Sequence, residues 1–146
     1  MNSIFRSLLA LLAFALSPPA GAQVSTLADV KAAKGVQLGA QELREIMPGA
    51  KVVSRTQAGS TRRWQNKADG TFSATSDGRG QSGGRNTYAS ADGTWRVTEE
   101  GRLCVKIAWP RSPDDWCRYM FRLGDKYYGV GSLSDETPAS EFEFSK

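Results

Sequence analysis

The chain has 146 residues, with 19 Lys and Arg against 15 Asp and Glu, two cysteines and no histidine. That length fits one domain with a real hydrophobic core. Without histidine the commonest general base and a principal metal ligand are missing, and two thiols alone do not make a zinc site.

Residues 1–22 carry one charge, Arg6, then an apolar run from Leu8 to Leu16, then Ala20-Gly21-Ala22. This is the pattern of a secretory signal peptide cleaved before Gln23. The run is shorter than the ~20 apolar residues of a membrane span. The expected mature chain is a soluble bacterial protein, periplasmic or secreted, with no stable membrane insertion. Residues 23–146 keep 18 basic and 15 acidic residues, a net charge of +3.

Residues 23–37 are polar and read as a flexible N-terminal segment. Ser25 or Thr26 can cap a short helix carrying Leu27 and Val30, ended by Gly35. The domain proper spans 38–146. From Leu38 to Met47, Ala40, Leu43, Ile46 and Met47 fall on one helical face, and Pro48-Gly49 stops the helix.

Strand patterns follow. Lys51–Gln57 and Ser60–Lys67 flank an Ala58-Gly59 turn, and Asp69-Gly70 leads into Thr71–Thr75 with Phe72 as anchor. The stretch 77–85 (DGRGQSGGR) holds four glycines and reads as a long surface loop. It lacks the G-x-x-x-x-G-K-[ST] pattern that cradles phosphate. Thr87–Ala91 is read as a strand, Asp92-Gly93 as a turn, and Thr94–Thr98 as a strand with Trp95 and Val97 on one face. After Glu99-Glu100-Gly101, Leu103, Val105, Ile107 and Trp109 alternate. Pro110–Asp115 is a loop, Trp116–Leu123 a strand, Gly124-Asp125 a turn, and Lys126–Val130 and Glu141–Phe144 the last strands.

About eight short strands behind one good helix favour a mainly β fold, a closed antiparallel barrel or a sandwich. The preferred expectation is a small lipocalin-like barrel, with the helix packed beside it or across one end. Trp95, Leu103, Trp109, Trp116, Phe121 and Tyr128 are the expected core anchors. Trp64, Trp95, Trp109, Trp116, Tyr119, Phe121, Tyr127 and Tyr128 are the expected lining if the barrel holds a ligand cavity.

An exported chain with an even cysteine count reads as disulfide-bonded, here Cys104–Cys117. The alternation raises a conflict. Cys117 shares a face with Tyr119, Phe121 and Leu123, which look like core, whereas Cys104 lies opposite Leu103, Val105 and Ile107. A cross-strand bond needs both cysteines on one face. A bulge resetting the parity and an oblique bond at the loop end both remain open.

Charge is uneven. Residues 51–86 hold seven basic and two acidic residues, and residues 92–146 hold eight basic and ten acidic. The basic half points to an anionic envelope component or an acidic protein as partner, with Arg55, Arg62, Arg63, Arg79 and Arg85 as candidate contacts. No nucleic-acid-reading aromatics or helix accompany it. Asp114-Asp115 and Glu99-Glu100 are paired carboxylates, but each pair falls in a polar loop and reads as solvated. No catalytic residue, metal site or cofactor site is expected.

The motifs carry a resemblance. A helix containing Leu38, Glu42 and Leu43 ends at Pro48-Gly49. Asp92-Gly93, Trp95, Gly101, Leu103, Cys104, Trp109, Cys117, Gly124-Asp125 and Tyr128 then follow in order. This pattern resembles a family of small exported proteobacterial domains of unknown function, often treated as lipocalin-like. The resemblance implies an exported barrel and no known catalytic residues. A second, looser likeness joins Ser82-Gly83-Gly84-Arg85-Asn86-Thr87-Tyr88 to the Ser-Gly-x-x-Tyr loop of bacterial lysozyme inhibitors, with a different spacing to the tyrosine. The leading expectation is therefore a non-catalytic exported binding module of the cell envelope. The alternatives are a carrier of a small apolar ligand and a periplasmic inhibitor of a lysozyme-like hydrolase.

Overall fold

The computed structural model describes residues 23–78 and 88–146. The signal-peptide reading, Arg79, Arg85 and the Ser82–Thr87 stretch lie outside the described residues.

Eight strands close into one barrel: β2 (Lys51–Arg55), β3 (Thr61–Gln65), β4 (Thr71–Ser76), β5 (Ala89–Val97), β6 (Arg102–Ile107), β7 (Asp114–Leu123), β8 (Lys126–Val130) and β9 (Ala139–Ser145). Each pairs antiparallel with the next, and β9 returns to pair with β2, so no barrel edge is left open. A short β1 (Val36–Gln37) adds to β7 at Phe121 and Arg122, just beyond the stretch where β6 pairs.

The Asp92-Gly93 turn expected from the sequence does not form. Both residues lie inside the nine-residue strand β5, and Gly93 pairs with Phe72 on one side and Ile107 on the other. A Cβ at Gly93 would stand 2.3 Å from the Phe72 ring and 2.7 Å from the Lys106 carbonyl oxygen. Glycine is there because an aromatic ring occupies its side-chain space, not to reverse the chain. The two runs read as separate strands are one.

The barrel interior is filled. Val52, Trp64, Phe72, Ala74, Leu103, Val105, Ile107, Met120 and Phe142 form the main core. At one end it is closed by helix α2 (Ala40–Ile46), whose Leu43 and neighbouring Met47 are fully buried. Asn66 ties that helix to the sheet. Its side chain donates to the Met47 carbonyl at 3.0 Å and accepts from Trp64 Nε1 at 3.0 Å. Trp95 is half-buried against this core rather than a fully buried anchor, and its Nε1 donates to the Lys67 carbonyl at 2.9 Å. Leu103, Trp109, Phe121 and Tyr128 are buried, and Trp116 is half-buried against the main core.

Residues 23–37 are more than a lead-in to the domain. They hold β1 and helix α1 (Leu27–Ala32), whose capping box joins Thr26 and Asp29. Leu27 and Val30 are fully buried in a second core with Phe121, Tyr128 and Val130, on the outer wall of the barrel. This second core resolves the disulfide conflict. Cys104 and Cys117 are direct partners in the β6–β7 ladder and are bonded, with no change of parity. The apolar face of β7 carrying Cys117, Tyr119, Phe121 and Leu123 faces outward under α1. The other face, carrying Asp114, Trp116, Arg118 and Met120, is the one that faces in.

Candidate functional site: a charged bar across the barrel mouth

The end of the barrel away from α2 is the mouth. Its loops join β2 to β3, β4 to β5, β6 to β7 and β8 to β9. Helix α1 braces the last of these. The Leu27 amide donates to the Thr137 carbonyl at 2.9 Å, the Ala28 amide to the Asp135 carbonyl at 3.0 Å, and Lys31 pairs with Asp135 at 2.6 Å.

Three charged side chains point into this mouth. Arg62 on β3 shares its inward face with Trp64, and Asp114 on β7 shares its face with Trp116. Strands β3 and β7 lie midway round the barrel from each other. The Arg62–Asp114 salt bridge therefore spans the mouth as a bar, with both side chains partly buried. Trp109 buttresses it: Nε1 donates to the same Asp114 oxygen at 2.8 Å, and the Arg62 guanidinium lies 5.4 Å from the Trp109 ring centroid. Arg62 Nε is buried without a hydrogen-bond partner among the described residues. Asp114, read from the sequence as part of a solvated loop pair, instead opens β7 and faces in. Asp115 beside it faces out toward Lys106 at 3.6 Å.

Arg118 is the third charge. Its guanidinium lies 4.7 Å from the Trp116 ring and 5.7 Å from the Phe142 ring. Its stem uses the space of a missing side chain, since a Cβ at Gly129 would meet Arg118 Cδ at 3.0 Å. Among the described residues, no carboxylate pairs with Arg118 and no group hydrogen-bonds it. Burial pushes its pKa below the usual arginine value; the charge of Asp114 opposes that shift and the charge of Arg62 adds to it. A half-buried guanidinium without a direct counter-ion, lying beside two rings, is a ready partner for an anion.

The bar divides the mouth into two hollows. One, of about 510 Å³, is lined by Ser54, Thr56, Arg62, Trp116, Arg118 and Ser140. The other, of about 300 Å³, is lined by Arg62, Tyr88, Ala89, Trp109, Pro110 and Arg111. The first is hydroxyl-rich and cationic; the second is mixed, with Trp109, Pro110, Ala89 and Tyr88 beside Ser60, Ser76, Ser112 and two arginines. Among the described residues no cluster of three or more Cys, Asp or Glu gathers to hold a metal, and no helix is long and apolar enough to cross a membrane.

The basic face expected from the sequence does not hold together. Arg55 and Arg63 stand on the outer wall, where Arg55 is paired with Glu143 at 3.0 Å and Glu141 at 3.6 Å. Arg62 points the opposite way, into the mouth. Sequence reasoning missed Arg118 altogether. The signal was the cysteine pair. If Cys104 lies opposite the core and bonds directly across the ladder, Cys117 does too, and Arg118 must then face in.

A family model described as "Protein of unknown function (DUF995)" matches residues 22–116, from the N-terminal segment through β6 and into β7, and the chain belongs to that family. No curated protein and no solved structure matches the chain.

Proposed function

We propose that this chain is an exported, non-catalytic binding module whose barrel mouth holds the anionic group, carboxylate or phosphate, of a ligand. The carrying observation is Arg118, a half-buried guanidinium with no carboxylate partner among the described residues. Leaving such a charge uncompensated costs stability, and an incoming anion would supply the missing partner. The hydroxyls of Ser54, Thr56 and Ser140 around it can donate to the remaining anion oxygens. The filled interior below the bar argues against a wholly apolar ligand deep in the barrel. The missing histidine and the bonded cysteines support a role without catalysis. Export rests on the signal-peptide pattern of residues 1–22 and suits the disulfide.

The test is calorimetric and NMR titration of the mature chain with inorganic phosphate and with acetate. Wild type should bind one or both in the millimolar range. Arg118→Met should abolish binding, while Arg63→Ala, on the outer wall, should leave it intact. Loss in Arg63→Ala with retention in Arg118→Met would move the site to the outer surface and overturn the reading.

A further inference from the structure

The mouth has a second hollow that anion binding does not use. Trp109, Pro110, Ala89 and the aliphatic stem of Arg62 give it an apolar strip with Tyr88 at the rim, while Ser60, Ser76, Ser112 and Arg111 line the rest. Tyr88 is 81% exposed, a large aromatic in open water with nothing packed on it among the described residues. An exposed aromatic beside an apolar strip marks a contact surface for apolar matter. The hollow adjoins the cationic one, because Arg62 lines both. The Arg62–Asp114 bar between them is accessible from the mouth, with 25% and 21% of its side chains exposed.

We propose that the ligand is a single amphiphile, one anionic head carried on an apolar chain or ring. The head sits against Arg118 in the cationic hollow. The apolar part crosses the bar and lies along Trp109 and Pro110, under Tyr88. This rests on the anion-binding reading above and specifies the rest of the ligand. The bar sets the geometry. Held by Asp114 and stacked on Trp109, the Arg62 guanidinium presents its stem rather than a free charge to the passing chain. Arg62 and Asp114 are thus positioning residues, while Arg118 and Trp109 contact the ligand. The shared chemistry admits a fatty carboxylate or a lipid monophosphate, and the two differ only at the head.

The experiment compares probes that share a head and differ in tail: methyl phosphate against octyl phosphate, and acetate against octanoate, all as monomers below micelle formation. Each methylene buried in the hollow should tighten binding by roughly fourfold. Octyl phosphate or octanoate should therefore bind at least tenfold more tightly than its short partner, and the stronger pair identifies the head. Tyr88→Ser, on an exposed side chain, should weaken the long probe severalfold and leave the short one unchanged. Arg118→Met should weaken both. If long and short probes bind equally and both need Arg118, the amphiphile proposal falls while the anion site stands. If none of the four probes binds, the anion reading falls too. Octanol binding as tightly as the charged octyl probes, or binding only to anionic vesicles and not to monomers, would also overturn the proposal.

Discussion

The two ends of the barrel are built on opposite terms. At the α2 end every buried polar group named above has a partner. Asn66 serves both Trp64 and Met47, Trp95 bonds the Lys67 carbonyl, and Lys146 Nζ donates to the Ile46 and Pro48 carbonyls where the helix ends. Trp64 and Phe72 stack there at 5.2 Å over the space left by Gly93. At the mouth, Arg62 Nε is buried without a partner and Arg118 has no counter-ion among the described residues. Glycine again makes room there, and Gly129 makes it for the Phe142 ring and the stem of Arg118 together. The closed end is not wholly free of such groups, since Arg102 Nε at the start of β6 is also buried without a hydrogen-bond partner among the described residues; what sets the mouth apart is that its unpartnered groups line an open hollow. Local rules are commonly broken where function requires it.

Substitutions at the two ends should separate in size and in sign. The largest effect belongs to the closed end. Phe72→Ala removes a fully buried ring that no neighbour can replace, and should cost about 3–5 kcal/mol in urea unfolding. A loss below 1 kcal/mol, on the order of an exposed-site change, would mean this end is not where the barrel is held. Next is Asn66→Ala, which strands Trp64 Nε1 and takes from the Met47 carbonyl one of its two donors, leaving the Ala50 amide. It should cost about 2 kcal/mol and expose α2 to amide exchange before the strands. Simultaneous exchange of helix and strands would show that α2 is not a separable cap.

The mouth should answer with the opposite sign. Arg118→Met replaces a desolvated charge with an apolar chain of similar length, and should raise stability by about 1 kcal/mol in anion-free buffer while removing anion binding. A destabilised Arg118→Met would show that the charge is compensated in the unliganded chain, and the contrast between the ends would fail. The smallest effect lies in acid, at the helix that braces the mouth. The backbone amides of Ser25 and Thr26 and the Thr26 hydroxyl donate to Asp29 and hold its pKa below the usual aspartate value. A lowered pKa means the contribution is complete above the unfolded value and is lost as pH falls through the folded one. Amide exchange at Leu27–Val30 should therefore quicken in acid in wild type and lose that extra pH dependence in Asp29→Ala. Equal pH profiles in the two would remove Asp29 from the account.

Much of the fold was legible because it rests on local chemistry. The hairpins at Gly59, Gly70, Gly101 and Gly124, the helix carrying Leu43 and Met47, and the alternation of Leu103, Val105 and Ile107 follow from period and turn residues. Asp92-Gly93 misled because the glycine of a turn and the glycine of a close approach look alike in a sequence; only Phe72, twenty-one residues earlier, tells them apart. The basic half misled because charge counts along a chain ignore which side of a strand each arginine takes.

The sequence by itself determined most of the strands and turns, with Asp92-Gly93 the exception, and the principal helix and the identity of the disulfide partners. It also determined which residues of β7 share a face, because the two-residue repeat of a strand is a local property. It did not determine which of those faces is the inside. Each carries apolar residues, Trp116 and Met120 on one and Tyr119, Phe121 and Leu123 on the other, and the charges of Asp114 and Arg118 make the inner face read as the outer one. That choice came from α1 folding back onto the outer wall, a contact between residues about ninety positions apart in the chain. Once Leu27 and Val30 cover Phe121, the register places Arg118 and Asp114 in the mouth. The site therefore belongs to the tertiary structure: a charge becomes a binding group only where packing removes its water and withholds its partner.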